Sequence, residues 1–148
     1  MADVVKTISD ALEATIQTVL PDYKPLDYSY FPEKNTFYKN DERFGVTVGA
    51  GISVNTITKA ITIDQIFNVV LTNSYASHSD DAGLKKQIFA LFDALNTIYI
   101  EVFNTKLSLP DLVYFVGPLS WSDPLIDAEQ SIIIQSMALN IQYRTLLI

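Results

Sequence analysis

The chain has 148 residues, a net charge of −7 and no cysteine. That length suits a single domain over 1–148, and the missing cysteines exclude disulfides and thiolate metal sites and fit a reducing cytosol. The acidic balance, with arginine only at Arg43 and Arg144, excludes a clustered basic surface for gripping phosphates.

The apolar share is 49% and the mean hydropathy +0.20, high for a soluble domain. No apolar run reaches the length of a membrane span. The opening residues Met1-Ala2-Asp3-Val4-Val5-Lys6 lack the basic stretch and apolar block of a signal peptide.

Asp3 to Leu20 is predicted as a helix. Val4, Val5, Ile8, Leu12, Ile16, Val19 and Leu20 recur at helical spacing, Asp3 can cap it, and Pro21 ends it. Lys24 to Phe31 alternates as a short aromatic strand, and Pro32 to Glu42 reads as a long exposed loop.

Phe44 to Val54 is the cleanest strand signal. Phe44, Val46, Val48, Ala50, Ile52 and Val54 fall on one face; Gly45, Thr47, Gly49, Gly51 and Ser53 fall on the other, where small residues permit close packing. After a turn-like link at Asn55–Lys59, a partner strand is expected from Ala60 to Tyr75. Its length predicts a bend or bulge near Asp64-Gln65.

Ser77 to Gly83 is a loop that starts a second helix, capped by Ser79 or Asp80 and running to about Asn104. Leu84, Ile88, Leu91, Phe92, Leu95, Ile98, Tyr99, Val102 and Phe103 form its apolar stripe, which makes it the expected central helix. Leu109-Pro110-Asp111 breaks the chain. A strand from Leu112 to Val116 is expected to stop at Gly117-Pro118, before an irregular stretch containing Trp121.

The final strand begins at Ser131. One face carries Ile133, Met137, Leu139, Ile141 and Tyr143; the other carries Ile132, Ile134 and Ala138 among Ser136, Asn140 and Gln142. A strand apolar on both faces needs two covers. It is expected at one edge of the sheet, with one face on the long helix and Ile132 and Ile134 awaiting a neighbouring subunit. On that reading, serine at both positions weakens oligomerisation more than folding. The element order is α-β-β-β-α-β-β, an α+β fold with a mainly antiparallel sheet packed against a long central helix.

Candidate chemistry is sparse, and no enzyme, cofactor or metal site is expected. His78 is the only histidine, and its neighbours Ser77, Ser79, Asp80 and Asp81 read better as a capping loop than as a catalytic group, because catalytic partners converge in space. One histidine cannot build a zinc site. Gly49-Ala50-Gly51 lacks the third glycine and following helix of a dinucleotide site. Asp123 to Glu129 lacks the glycine and spacing of a calcium loop. The aromatics Tyr28, Tyr30, Phe31, Phe37 and Tyr38, and likewise Trp121, fit either a protein–protein interface or an ordinary core edge.

The element order, together with the run Gln130-Ser131-Ile132-Ile133-Ile134-Gln135-Ser136-Met137-Ala138-Leu139-Asn140-Ile141-Gln142-Tyr143, resembles the tail-terminator proteins of long-tailed bacteriophages. The resemblance covers nearly the whole chain and rests on architecture. It implies a virion protein assembled in the host cytoplasm and placed at the head-proximal end of the tail. Such a protein forms a homohexameric ring that caps the tail tube, ends its polymerisation and joins the head. The implied partners are other copies of itself, the tail-tube protein and a neck or head-completion protein, with DNA passing through unbound and no membrane. Pro32 to Glu42 becomes a candidate contact with tube or neck. A tail-tube or neck/connector protein of the same fold is one alternative. A small α+β domain that binds an apolar ligand between sheet and helix is another.

Overall fold

The computed structural model describes residues 3–25, 42–57, 60–74, 81–109, 112–127 and 132–146. Helix α1 (Asp3–Val19) leads to a two-residue strand β1 (Lys24–Pro25). Strands β2 (Glu42–Ile57) and β3 (Ala60–Ser74) form a long hairpin, followed by helix α2 (Asp81–Thr105). Strands β4 (Val113–Trp121), β5 (Leu125–Asp127) and β6 (Ile132–Leu146) complete the sheet.

The sheet order is β1-β2-β3-β6-β4, with β5 also pairing β6. Every pairing is antiparallel except β1 with β2. The fold is therefore α+β, with a mainly antiparallel sheet packed against a long helix. Residues 26–31 of the expected aromatic strand lie outside the described residues.

Both helices lie on one face of the sheet, where apolar side chains from all layers meet. Ile8, Leu12 and Ile16 come from α1, and Leu91, Leu95, Ile98 and Val102 from α2. Phe44, Phe67, Val69, Leu71, Met137, Leu139 and Ile141 rise from the strands to meet them. Helix α1 sits over β2, whereas α2 sits over β3 and β6.

Four expectations change. First, β6 is an interior strand, not an edge. It pairs with β3 without a register break from Ala60↔Leu146 to Ser74↔Ile132, and with β4 and β5 on its other side. Strand neighbours bond along the edges of β6 and cover neither face; its helix-side residues pack in the core, and Ile132 on the other face is buried as well.

Second, the predicted bulge lies opposite Asp64-Gln65, on β2. Register shifts fall between Val48 and Gly51 and between Ser53 and Asn55. One extra residue exchanges the two faces of a strand. Val48 pairs with Phe67 on the helix side, but beyond the bulge Gly51 pairs with Gln65 on that side and Ile52 with Asp64 on the outer side. Ile52, placed on the apolar face by simple alternation, is thereby turned out to 64% exposure.

Third, β4 does not stop at Gly117-Pro118. It passes through a bulge between Val116 and Leu119 and resumes pairing up to Trp121. Proline is tolerated there because β4 lies at the end of the strand order and the bulge releases the ladder bond. Fourth, the link after β2 is shorter than expected, since β2 runs on to Ile57.

Between α2 and β4 the chain makes a single turn, Lys106–Ser108, in which all three residues have positive φ (48°, 59° and 56°). The turn drives the Leu107 side chain into the core.

Candidate assembly surfaces

Among the described residues two helices face a six-stranded sheet. With α1 over β2 and α2 over β3 and β6, the flank of α2 that faces β4 carries no further helix among the described residues. Phe89, Phe92, Ile100 and Phe103 recur along that flank at spacings of three, eight and three, with Asn96 between them. Phe89 is 59% exposed, and Ile100 and Phe103 are also exposed. Phe92 meets Trp121 edge-on, with ring centroids 6.2 Å apart and planes at 83°, a favoured aromatic geometry. Tyr99 and Phe103 lie 6.0 Å apart on the same flank.

Trp121 reaches this position because it pairs with Met137, whose side chain belongs to the core beneath the helices. Its indole remains 46% exposed. Farther along β6, Ile126 pairs with the core residue Ile133, so it extends the same side of the sheet, and it too is exposed. Lys85 and Lys86 border the patch, and with Phe89, Ala90 and Asp93 they line a surface groove of about 510 Å³.

A second, smaller apolar patch lies on the opposite face. Ile66 points away from the helices, since its neighbours Phe67 and Gln65 point toward them, and Ile52 joins it beyond the bulge. Gly49 keeps this area low. A Cβ there would stand 3.2 Å from the Ile66 carbonyl oxygen and 3.3 Å from the Asn68 amide. Asp64 pairs with Ile52 and brings a carboxylate to this patch, which receives the Gln142 amide at 3.4 Å; Arg144, exposed on the same face, pairs with Thr62.

A third concavity, about 320 Å³, lies between α1 and the end of α2. Ala11, Ala14, Thr15 and Thr18 form one wall, and Glu101, Thr105, Leu107 and Ser108 the other.

Of the residues singled out from sequence, the structure brings Trp121 into an exposed aromatic cluster. Ile134 is half-buried between Thr72 and Leu125. Ile132 is 2% exposed, already covered within the chain, and offers no surface to a neighbour. Tyr28, Tyr30, Phe31, Phe37, Tyr38 and the His78 loop lie outside the described residues, as does most of the Pro32–Glu42 segment. Sequence reasoning missed Phe89 and Ile100 and placed Phe92 and Phe103 in the core. The signal was present: the apolar positions of α2 span more of its circumference than one buried stripe requires.

Buried polar groups serve the fold. Tyr143 donates its hydroxyl to Gln65 Oε1 (2.9 Å), and Gln65 Nε2 donates to the Gly49 carbonyl (2.8 Å), so one amide ties β6 to the bulge of β2. Burial raises the Tyr143 phenol above its ordinary pKa. Burial, reinforced by the Glu42 carboxylate, pushes Tyr23 up to about 12. Both stay neutral at physiological pH. Gln135 is fully buried; its Nε2 donates to the Ser122 carbonyl, while its Oε1 and the Thr72 hydroxyl have no hydrogen-bond partner among the described residues.

Among the described residues no group of His, Cys, Asp or Glu could hold a metal ion. No helix among them is long and apolar enough to cross a membrane. A scan against protein-family models and a search of curated protein sequences returned no match for this chain.

Proposed function

We propose that this chain is a structural, self-assembling protein of a bacteriophage tail, a terminator subunit that forms a ring on the finished tube. The observation that carries this reading is the exposed aromatic flank of α2 with Trp121. The largest contiguous apolar patch on a protein surface is often a functional contact. Aromatic residues are also the side chains enriched at protein interfaces. The two apolar patches differ in residues and lie on opposite faces of the sheet. Ring growth requires two unlike surfaces of this kind.

The acidic charge of −7 suits a ring through which DNA slides without being gripped. The same surfaces suit a tail-tube or neck protein of this fold. The apolar-ligand reading has less support, since Phe67, Val69, Leu91, Leu95, Ile98 and Leu139, where sheet meets helices, are all fully buried against one another.

The test is mass photometry across a concentration series, followed by electron microscopy with tail tubes. A discrete ring that binds only at tube ends and stops their growth is expected. Rings that stack into tubes would move the assignment to a tube protein. A chain that stays monomeric and ignores tubes would refute the reading.

A further inference from the structure

Resting on the self-assembly reading, we infer that the α2 flank of one copy docks on the Ile52–Ile66 patch of the next, head to tail. Three observations converge on this pairing. Both surfaces are apolar. The first is Phe89, Phe92, Ile100, Phe103, Trp121 and Ile126; the second is Ile52 and Ile66 around the low ground of Gly49. Each border carries charges that the other can pair: Lys85 and Lys86 flank the first, with Asp93 across the groove, and Asp64 stands beside the second, with Arg144 next along that face.

The patches also lie on opposite faces of one sheet, so they cannot meet within a single copy. A second copy is the occupant that supplies the complement. The six side chains of the first patch expose apolar surface on the order of 500 Å², taking ordinary side-chain areas. One partner in a standard interface contributes about 800 Å², so this patch with its polar rim has the right size to hold a neighbour. The bulge of β2 creates the second patch, because without it Ile52 would turn toward the helices.

Two single variants test the pairing. Phe89→Asp and Ile52→Asp change exposed side chains, and unchanged far-ultraviolet circular dichroism and unfolding midpoints would show that each still folds. Each alone is expected to leave a monomer by sedimentation velocity, at concentrations where the unsubstituted chain assembles. Mixed in equal amounts at the highest soluble concentration, they should form a one-to-one dimer and nothing larger, since one intact surface of each kind remains. A charge exchange supplies an independent arm: Asp64→Lys and the double variant Lys85→Glu, Lys86→Glu each weaken assembly at least tenfold, and mixing them restores pairing.

Assembly abolished by Phe89→Asp but untouched by Ile52→Asp would overturn the pairing, showing that the α2 flank meets its own copy or another surface. A mixture that stays monomeric would overturn it as well. An unsubstituted chain that never assembles would instead defeat the self-assembly reading beneath it.

Discussion

Gly51 sits where a Cβ would stand 2.9 Å from both Cδ and Oε1 of Gln65. None of the described glycines has a positive φ, so this position is held by lack of space and not by backbone conformation. The Gln65 amide is already committed to Gly49 and Tyr143. Gly51→Ala must displace it and is expected to cost about 1–2 kcal/mol, the worth of two ordinary hydrogen bonds. In a Gln65→Ala background the same change should cost less than about 0.5 kcal/mol, because the obstruction is gone. Urea unfolding of the four proteins in the cycle measures the difference; equal penalties in both backgrounds would refute this account. Ile132 and Ile134 separate in the same way. Ile132→Ser places a hydroxyl in a buried site and is expected to cost about 2–4 kcal/mol of folding stability. Ile134→Ser, at a half-buried position, should cost about 1 kcal/mol. This reverses the expectation that serine at both positions would act mainly on oligomerisation.

At the scale of elements, the turn at Lys106–Ser108 is the most demanding piece of backbone. Left-handed conformation costs an ordinary L-residue about 1–2 kcal/mol, and glycine escapes most of it. Ser108 is exposed, so Ser108→Gly is expected to raise stability by about 0.5–1 kcal/mol after glycine's own entropy cost. Leu107→Ala, which removes a core side chain, should lower it by about 2–5 kcal/mol. Unfolding midpoints for both variants check the pair. No glycine, asparagine or aspartate marks this turn in the sequence, which is why Leu107 was legible only as an apolar residue before Leu109-Pro110. The helices were legible because their 3.6-residue period extends over several turns. Bulges were less so: a single inserted residue carries no compositional mark, and alternation read straight through Gly49-Ala50 sends Ile52 to the wrong face. At Gly117-Pro118 the turn chemistry was real but produced a bulge within β4 instead of its end.

For the molecule as a whole, the α+β class and the central place of α2 followed from the order of periodic segments. The place of β6 did not. Apolar residues on both faces of a strand say only that both faces are covered, and in this chain the position in the sheet was set by pairings with β3 and β4 that single-strand periodicity does not encode. The candidate surface was half visible. Trp121 stood out as an aromatic in an irregular stretch, but of its companions on α2, Phe92 and Phe103 were absorbed into one helical stripe and Phe89 and Ile100 were passed over. A mean hydropathy of +0.20 already pointed to more apolar surface than one core needs, and the flank of α2 is where part of that surplus lies. The acidic surplus bears on the same molecule-scale property: in a chain with net charge −7, Lys85 and Lys86 put adjacent positive charges beside the exposed aromatics, where they would favour an acidic neighbour.

The interior position of β6 also governs how the chain comes off the ribosome. The hairpin of β2 and β3 is complete by Ser74, but the strand that seals the free edge of β3 is not made until Ile132–Leu146. At ordinary elongation speeds of about 5–20 residues per second, that interval lasts roughly 4–14 s. Throughout it the nascent hairpin presents an unsealed ladder and the apolar face of Phe67, Val69 and Leu71 to other chains on the same message. Slowing translation between β3 and β6 would lengthen that exposure and raise the share of product lost to aggregation.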